Sequence, residues 1–124
     1  MHIQKNHRKA GFTLLEIMVA VSLVGLLTAI AVPNFIKNRD NARLNTISYQ
    51  LRLIEEAKEQ WAIENKKGAG ETTDLTALSE FLKGGTVKPV ASETYTAGAI
   101  GTPASAVASV NLGTYGAGTP ILAQ

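Results

Sequence analysis

The chain has 124 residues, 45% of them apolar, with twelve basic and ten acidic side chains and no cysteine. This length suits one domain rather than two, and the lack of cysteine excludes a disulfide scaffold and any thiolate metal site. The pI of about 9.0 would suggest a nucleic-acid partner, but Lys5, Arg8 and Lys9 all precede Gly11, and the nine basic side chains beyond it face all ten acidic ones. No nucleic acid is indicated.

The first element in chain order is an apolar segment. Between Phe12 and Phe35 the one charge is Glu16. Phe12 to Ile36 is 25 residues, or about 37 Å as a helix, enough to cross a hydrocarbon core of about 30 Å with some tilt. Two ordinary readings compete here. One is a secretory signal peptide, with a basic start and Ala29-Ile30-Ala31 as a small-x-small cleavage site; its apolar run is long for that purpose. The other is a plain single-pass anchor, which explains the length but not Glu16. A carboxylate near a bilayer centre costs roughly 2.5–3.5 kcal/mol, and an ionisable group in such a segment is by default a functional hypothesis with a partner to be named.

Cleavage after Gly11 would supply that partner. Phe12 would then carry a free α-amino group, charged near neutral pH. It stands four residues before Glu16, on the same face of a common helix. Amine and carboxylate could pair within one chain or between adjacent chains, each lowering the other's burial cost. Glycine at position 11 lets the backbone extend into a peptidase site with no side chain in the way.

The stretch Lys9-Ala-Gly-Phe-Thr-Leu-Leu-Glu-Ile-Met-Val-Ala-Val resembles the prepilin cleavage and methylation signature shared by type IV pilins and type II secretion pseudopilins. Counted from Phe12, Glu16 is the fifth residue and Pro33 the twenty-second, as in that family. The resemblance implies a prepilin peptidase that cuts between Gly11 and Phe12 and N-methylates Phe12. It implies single-pass insertion in the bacterial inner membrane, with the carboxy-terminal part periplasmic or extracellular. It further implies assembly into a homo- or hetero-oligomeric filament with other pilin-like subunits, in which Glu16 meets the Phe12 amine of a neighbour. Major pseudopilins often carry calcium in a carboxy-terminal loop. The resemblance leaves that cofactor open, but no ligands are identifiable, because Thr94–Gln124 has no carboxylate. The disulfide-bonded loop of many type IV pilins is absent.

On this reading residues 1–11 are a cleaved leader, 12–36 a transmembrane and filament-core helix, and 37–124 its amphipathic continuation with a small globular part. Pro33 lacks an N–H and marks, with Gly25, the expected kink or site of local unwinding. Beyond it Leu44, Ile47, Leu51, Ile54, Lys58 and Trp61 recur at three- and four-residue spacing, which predicts a helix face packed on the rest of the subunit. Tyr49 and Leu53 fall off that stripe, free to touch neighbours. Lys66-Lys67-Gly68 should end the helix.

Thr73 or Asp74 is placed to cap a short helix over 75–83, ended by Gly84-Gly85. Two strands are expected over 94–100 and 106–112, with a turn at Gly101-Thr102-Pro103. The tail from Gly113 reads as a loop, an added edge strand or disorder. The expected fold class is α+β and pilin-like: a long amino-terminal helix with a small carboxy-terminal antiparallel sheet.

No catalytic constellation appears. The only histidines, His2 and His7, precede Gly11. Glu55, Glu56 and Glu59 read as a solvated helix face with a possible Glu55–Lys58 pair. The chain is therefore expected to be a structural subunit, with no small-molecule substrate. The alternative is a membrane-anchored or secreted binding domain whose amino terminus serves only for targeting.

Overall fold

The computed structural model describes residues 2–4 and 11–124, so the basic side chains of the expected leader lie outside the described residues. The chain divides into two compact units, Met1–Ile36 and Lys37–Gln124. One helix, α1 (Leu14–Glu64), contributes residues to both. Strands β1 (Glu93–Thr96), β2 (Ser105–Ala108) and β3 (Pro120–Leu122) complete the second unit, giving the expected α+β arrangement of a long helix and a small antiparallel sheet.

In the first unit the helix carries only exposed side chains from position 14 to 36. Mean hydropathy over its apolar window reaches 2.4, so it is long and apolar enough to cross a membrane. Its few polar groups are satisfied locally. Ser22 Oγ donates to the Met18 carbonyl at 2.7 Å, Thr28 Oγ1 to Val24 at 2.8 Å, and Asn34 Nδ2 to Ile30 at 3.2 Å. Hydroxyl and amide groups tied to the carbonyl one turn back need no water, the condition that lipid imposes. The helix runs through both Gly25 and Pro33.

In the second unit the helix turns amphipathic. Ile47, Leu51 and Ile54 are fully buried, and Leu44 and Trp61 are half-buried against the same core. This is the expected stripe. Leu53 also packs on that core, so of the two residues read as lying off it only Tyr49 remains exposed. The helix ends in a Schellman arrangement. Lys67 N–H donates to the Ala62 carbonyl at 2.8 Å and Lys66 N–H to Ile63 at 3.4 Å, with Lys66 itself at φ 53°. The left-handed position is thus a lysine rather than Gly68, at some backbone cost that glycine would avoid.

The helix expected over 75–83 does not form. Asp74 does cap, its Oδ1 accepting from Ala77 N–H at 2.7 Å. Beyond that point the bonds alternate between four-residue spacing (Leu82 to Leu78) and three-residue spacing (Ser79 to Thr76, Phe81 to Leu78). Nine residues held between a cap and two glycines at positive φ are too few to propagate an α-helix on their own. Tertiary packing instead fixes a run of turns that still buries Leu78 and Leu82.

The sheet is a meander in the order β1-β2-β3, both pairs antiparallel. Tyr95 stands opposite Ala106, and Ala106 opposite Ile121. All three point inward, so a small residue on the central strand is flanked by two large ones. The first two strands are shorter than expected. β1 stops at Thr96 because Gly98 and Gly101, at φ 71° and 86°, turn the chain. Beyond β2, Leu112 leaves the sheet to pair with Tyr115 across a tight turn through Gly113. Of the three states open for the tail, the edge strand is the one adopted; Pro120 at its first position suits a sheet edge.

Six of the buried core residues are alanines (57, 91, 97, 104, 106 and 108), so the few large side chains carry most of the burial. Ile54→Ala is expected to cost about 2–5 kcal/mol, whereas Ile63→Ala, 78% exposed, should stay within about 0.5 kcal/mol. Urea unfolding of the full chain in detergent, followed by Trp61 fluorescence, measures both, and equal losses would contradict this placement of the core.

Candidate functional site

At the start of the first unit, Gly11 and Phe12 are exposed and non-helical, and a Cβ at Gly11 would meet nothing within 4 Å. Thr13 is the N-cap of α1. Its Oγ1 accepts from Glu16 N–H at 3.2 Å, and its carbonyl accepts from Ile17 N–H at 3.3 Å. Thr13-Leu14-Leu15-Glu16 is therefore the S/T-x-x-E pattern of a capping box, with Glu16 at its third helical position. The S/T-x-x-E spacing carries that capping signal in the sequence itself. A carboxylate in the first turn is also favoured by the helix dipole. Phe12 stands two residues ahead of the first helical residue, so the two groups are not brought onto one helix face here. Among the described residues Glu16 forms no ion pair. Gly25 has open space where a Cβ would stand.

The second unit holds a polar centre that the sequence reading misplaced. Glu55 and Lys58 do pair, Nζ to Oε1 at 3.0 Å, but with Lys58 on the buried side of the helix and Glu55 half-buried at its edge rather than on a solvated face. Lys58 is 2% exposed. Its ammonium donates to the backbone carbonyls of Ala97 at 2.8 Å, Thr102 at 2.6 Å and Ala99 at 3.3 Å. Glu55 Oε1 also accepts a short hydrogen bond from Ala104 N–H. The signal was present, since Lys58 occupies the stripe position between Ile54 and Trp61 where the period calls for an apolar side chain.

Glu93 is the other buried charge, 3% exposed. Its carboxylate accepts from Val90 N–H at 2.9 Å, Ala91 N–H at 2.6 Å and Tyr95 Oη at 2.7 Å. Burial alone would raise its pKa, but the Tyr95 hydroxyl and the two backbone donors outweigh it and hold Glu93 below its ordinary value of 4.5. Burial, then the hydrogen bond to Glu93 and its negative charge, push the Tyr95 hydroxyl well above its ordinary value. Among the described residues no three of His, Cys, Asp and Glu come together as a metal site. The loop between β1 and β2 offers carbonyl oxygens, but Lys58 already fills the point on which they converge, so a calcium ion does not fit there.

A long helix with a capped, apolar first part, followed in sequence by a small antiparallel sheet, is consistent with an α+β pilin-like fold. The profile described as the prokaryotic N-terminal methylation motif matches residues 6–32. The type II secretion system core protein G of Pectobacterium carotovorum subsp. carotovorum is 32% identical over 75 residues, covering 60% of this chain and 48% of that protein. Core protein G of Klebsiella pneumoniae is 34% identical over 71 residues, 57% of this chain and 51% of that one. The type IV major pilin protein PilA of Myxococcus xanthus (strain DK1622) is 36% identical over 62 residues, 50% of this chain and 28% of that protein. The chain thus spans about half the length, or less, of these curated relatives. No solved structure matches it significantly. Over residues 6–32 the chain carries a prokaryotic N-terminal methylation motif, and it is similar to type II secretion core protein G and to a type IV major pilin.

Because Glu93 has a lowered pKa in the folded chain, its contribution to stability is present above about 4.5 and is lost as pH falls through the lowered value. Glu93→Gln should therefore unfold more easily than the parent at neutral pH, with the difference shrinking below pH 4.5. Thermal unfolding of both proteins against pH checks this, and a difference that persisted undiminished in acid would leave Glu93 with a packing role alone.

Proposed function

We propose that this chain is a structural subunit of a pilin-like filament of the pseudopilus or type IV pilus kind, and not an enzyme. A prepilin peptidase cuts between Gly11 and Phe12 and methylates the new amine. The observation that carries this reading is Glu16, the one charge in a fully exposed apolar segment that begins directly after Gly11. The methylation motif over residues 6–32 and the similarity to core protein G and to a type IV major pilin support it.

The mechanism is packing. Residues 12–36 sit in the inner membrane as a single span, with the carboxy-terminal part on the periplasmic or extracellular side, and then bundle with the same segments of neighbouring subunits. In lipid or in the bundle, Glu16 is costly unless a cation meets it. Since Phe12 stands ahead of the first helical turn, its amine reaches a neighbour's carboxylate more readily than its own. Gly25 and Pro33 bracket the segment that unwinds when the subunit leaves the bilayer. Pro33 leaves the carbonyl one turn back without its helical donor, and Gly25 lowers the cost of leaving helical geometry. Electron cryomicroscopy of the filament would show this directly, and an unbroken helix over residues 25–33 would refute it.

Mass spectrometry of the mature protein is expected to give an N-methylated Phe12 amino terminus. A terminus at Val32 would indicate ordinary signal peptidase, and retained Met1 a simple anchor; either result overturns the assignment. Glu16→Ala should insert in the membrane as well as the parent, yet enter filaments at a small fraction of the normal yield. Cell fractionation and filament shearing separate these two effects, and normal incorporation would end the pairing argument.

A further inference from the structure

The Lys58 ammonium lies within 3.3 Å of four oxygens: the carbonyls of Ala97, Ala99 and Thr102 and one carboxylate oxygen of Glu55. An ammonium has three N–H donors, so the cluster is richer in acceptors than one lysine needs for hydrogen bonding alone. Three carbonyls of one short loop do not turn to a common point by default. Here they do because Gly98 and Gly101 adopt φ 71° and 86°, a conformation that side chains other than glycine rarely take. Without a positive charge, three carbonyl dipoles and a carboxylate aimed at one buried spot would repel one another and lack donors.

We propose that the loop 97–102, together with Glu55, is a cation-coordinating cradle whose resident cation is the chain's own Lys58 ammonium. It fastens the β1–β2 connection to the part of α1 in the second unit without a bound metal. The cradle offers four protein oxygens, whereas hard divalent ions take six or more at roughly 2.0–2.6 Å. Glu55 completes the fastening, bonding both the ammonium and the N–H of Ala104 at the start of the β2 approach. An open cleft of about 430 Å³, bounded by Glu59, Gly101 and Gln124 among others, reaches Lys58 from outside. A small cation can therefore enter the cradle once the tether is removed. This inference stands on the second unit alone and is independent of filament assembly.

The test uses the full chain in detergent, with amide hydrogen exchange over residues 97–104 as the readout. Lys58→Ala should exchange at least about tenfold faster there than the parent. Ethylammonium, a free copy of the missing head, should restore most of that protection, while tetramethylammonium, which has the charge but no N–H, should not. Lys58→Met keeps the apolar stem without the charge and should resemble Lys58→Ala. Protection of Lys58→Met equal to the parent, or equal rescue by the two ammonium ions, overturns the proposal. Should the variants fail to fold, the unaltered chain still decides. Its ¹⁵N–¹H spectrum should contain a slowly exchanging lysine ammonium signal, and chelation by EDTA should leave the loop's protection unchanged. A missing signal, or loss of protection on chelation, overturns the proposal equally.

Discussion

Both units answer one constraint: a polar group removed from water must find a partner nearby. In the first unit the helix carries few polar side chains, and Ser22, Thr28 and Asn34 all bond to carbonyls one turn back on their own helix. In the second unit the surface is polar, but three short strands and a run of turns leave many backbone groups pointing inward. Two buried charges collect them. Lys58 gathers carbonyls and Glu93 gathers N–H groups, so the ionised side chains work as hubs for the loops rather than as members of surface ion pairs.

This division follows from how little apolar material the second unit has. Alanine supplies much of its core, and a domain of this size buries too small a fraction of its surface for hydrophobic burial alone to fix long loops. Small domains commonly add disulfides or metals for that purpose. With no cysteine in the chain, internal charge–backbone clusters take over part of the role. Lys58 secures the connection between β1 and β2. Glu93 secures the approach to β1 through Val90 and Ala91, and Gln50 holds the Lys88 carbonyl at 2.8 Å. Each cluster spans positions distant in sequence or closes a turn that has no ladder of its own.

The long helix, its amphipathic face and the existence of a small antiparallel sheet were legible because each leaves a periodic trace. Ile47, Leu51 and Ile54 repeat with the helix, and Tyr95 and Val107 sit in β-favouring runs between glycines. What was not legible depended on tertiary contact. The segment 75–83 has a helix's cap, apolar spacing and stop, yet its length left packing free to choose irregular turns. The third strand has only three residues and is defined by its pairing with β2 rather than by composition. The amino-terminal segment is legible as a motif, and the capping role of Thr13 is equally readable from its spacing to Glu16.

Two charges interrupt otherwise apolar patterns, Glu16 in the first unit and Lys58 in the second, and their environments differ in a way that bears on assembly. Lys58 finds all its partners within the chain, so its burial is complete in the single subunit. Glu16 finds, among the described residues, only the favourable end of its own helix, and it remains exposed along with every apolar side chain around it. A charge whose compensation is internal belongs to folding. A charge in a surface that must itself be covered requires compensation from whatever covers it, and that covering must be both apolar and cationic at one point. A lipid tail meets the first condition alone. On the proposed reading, a second copy of the same segment, cut after Gly11 and so bearing an amine at Phe12, meets both.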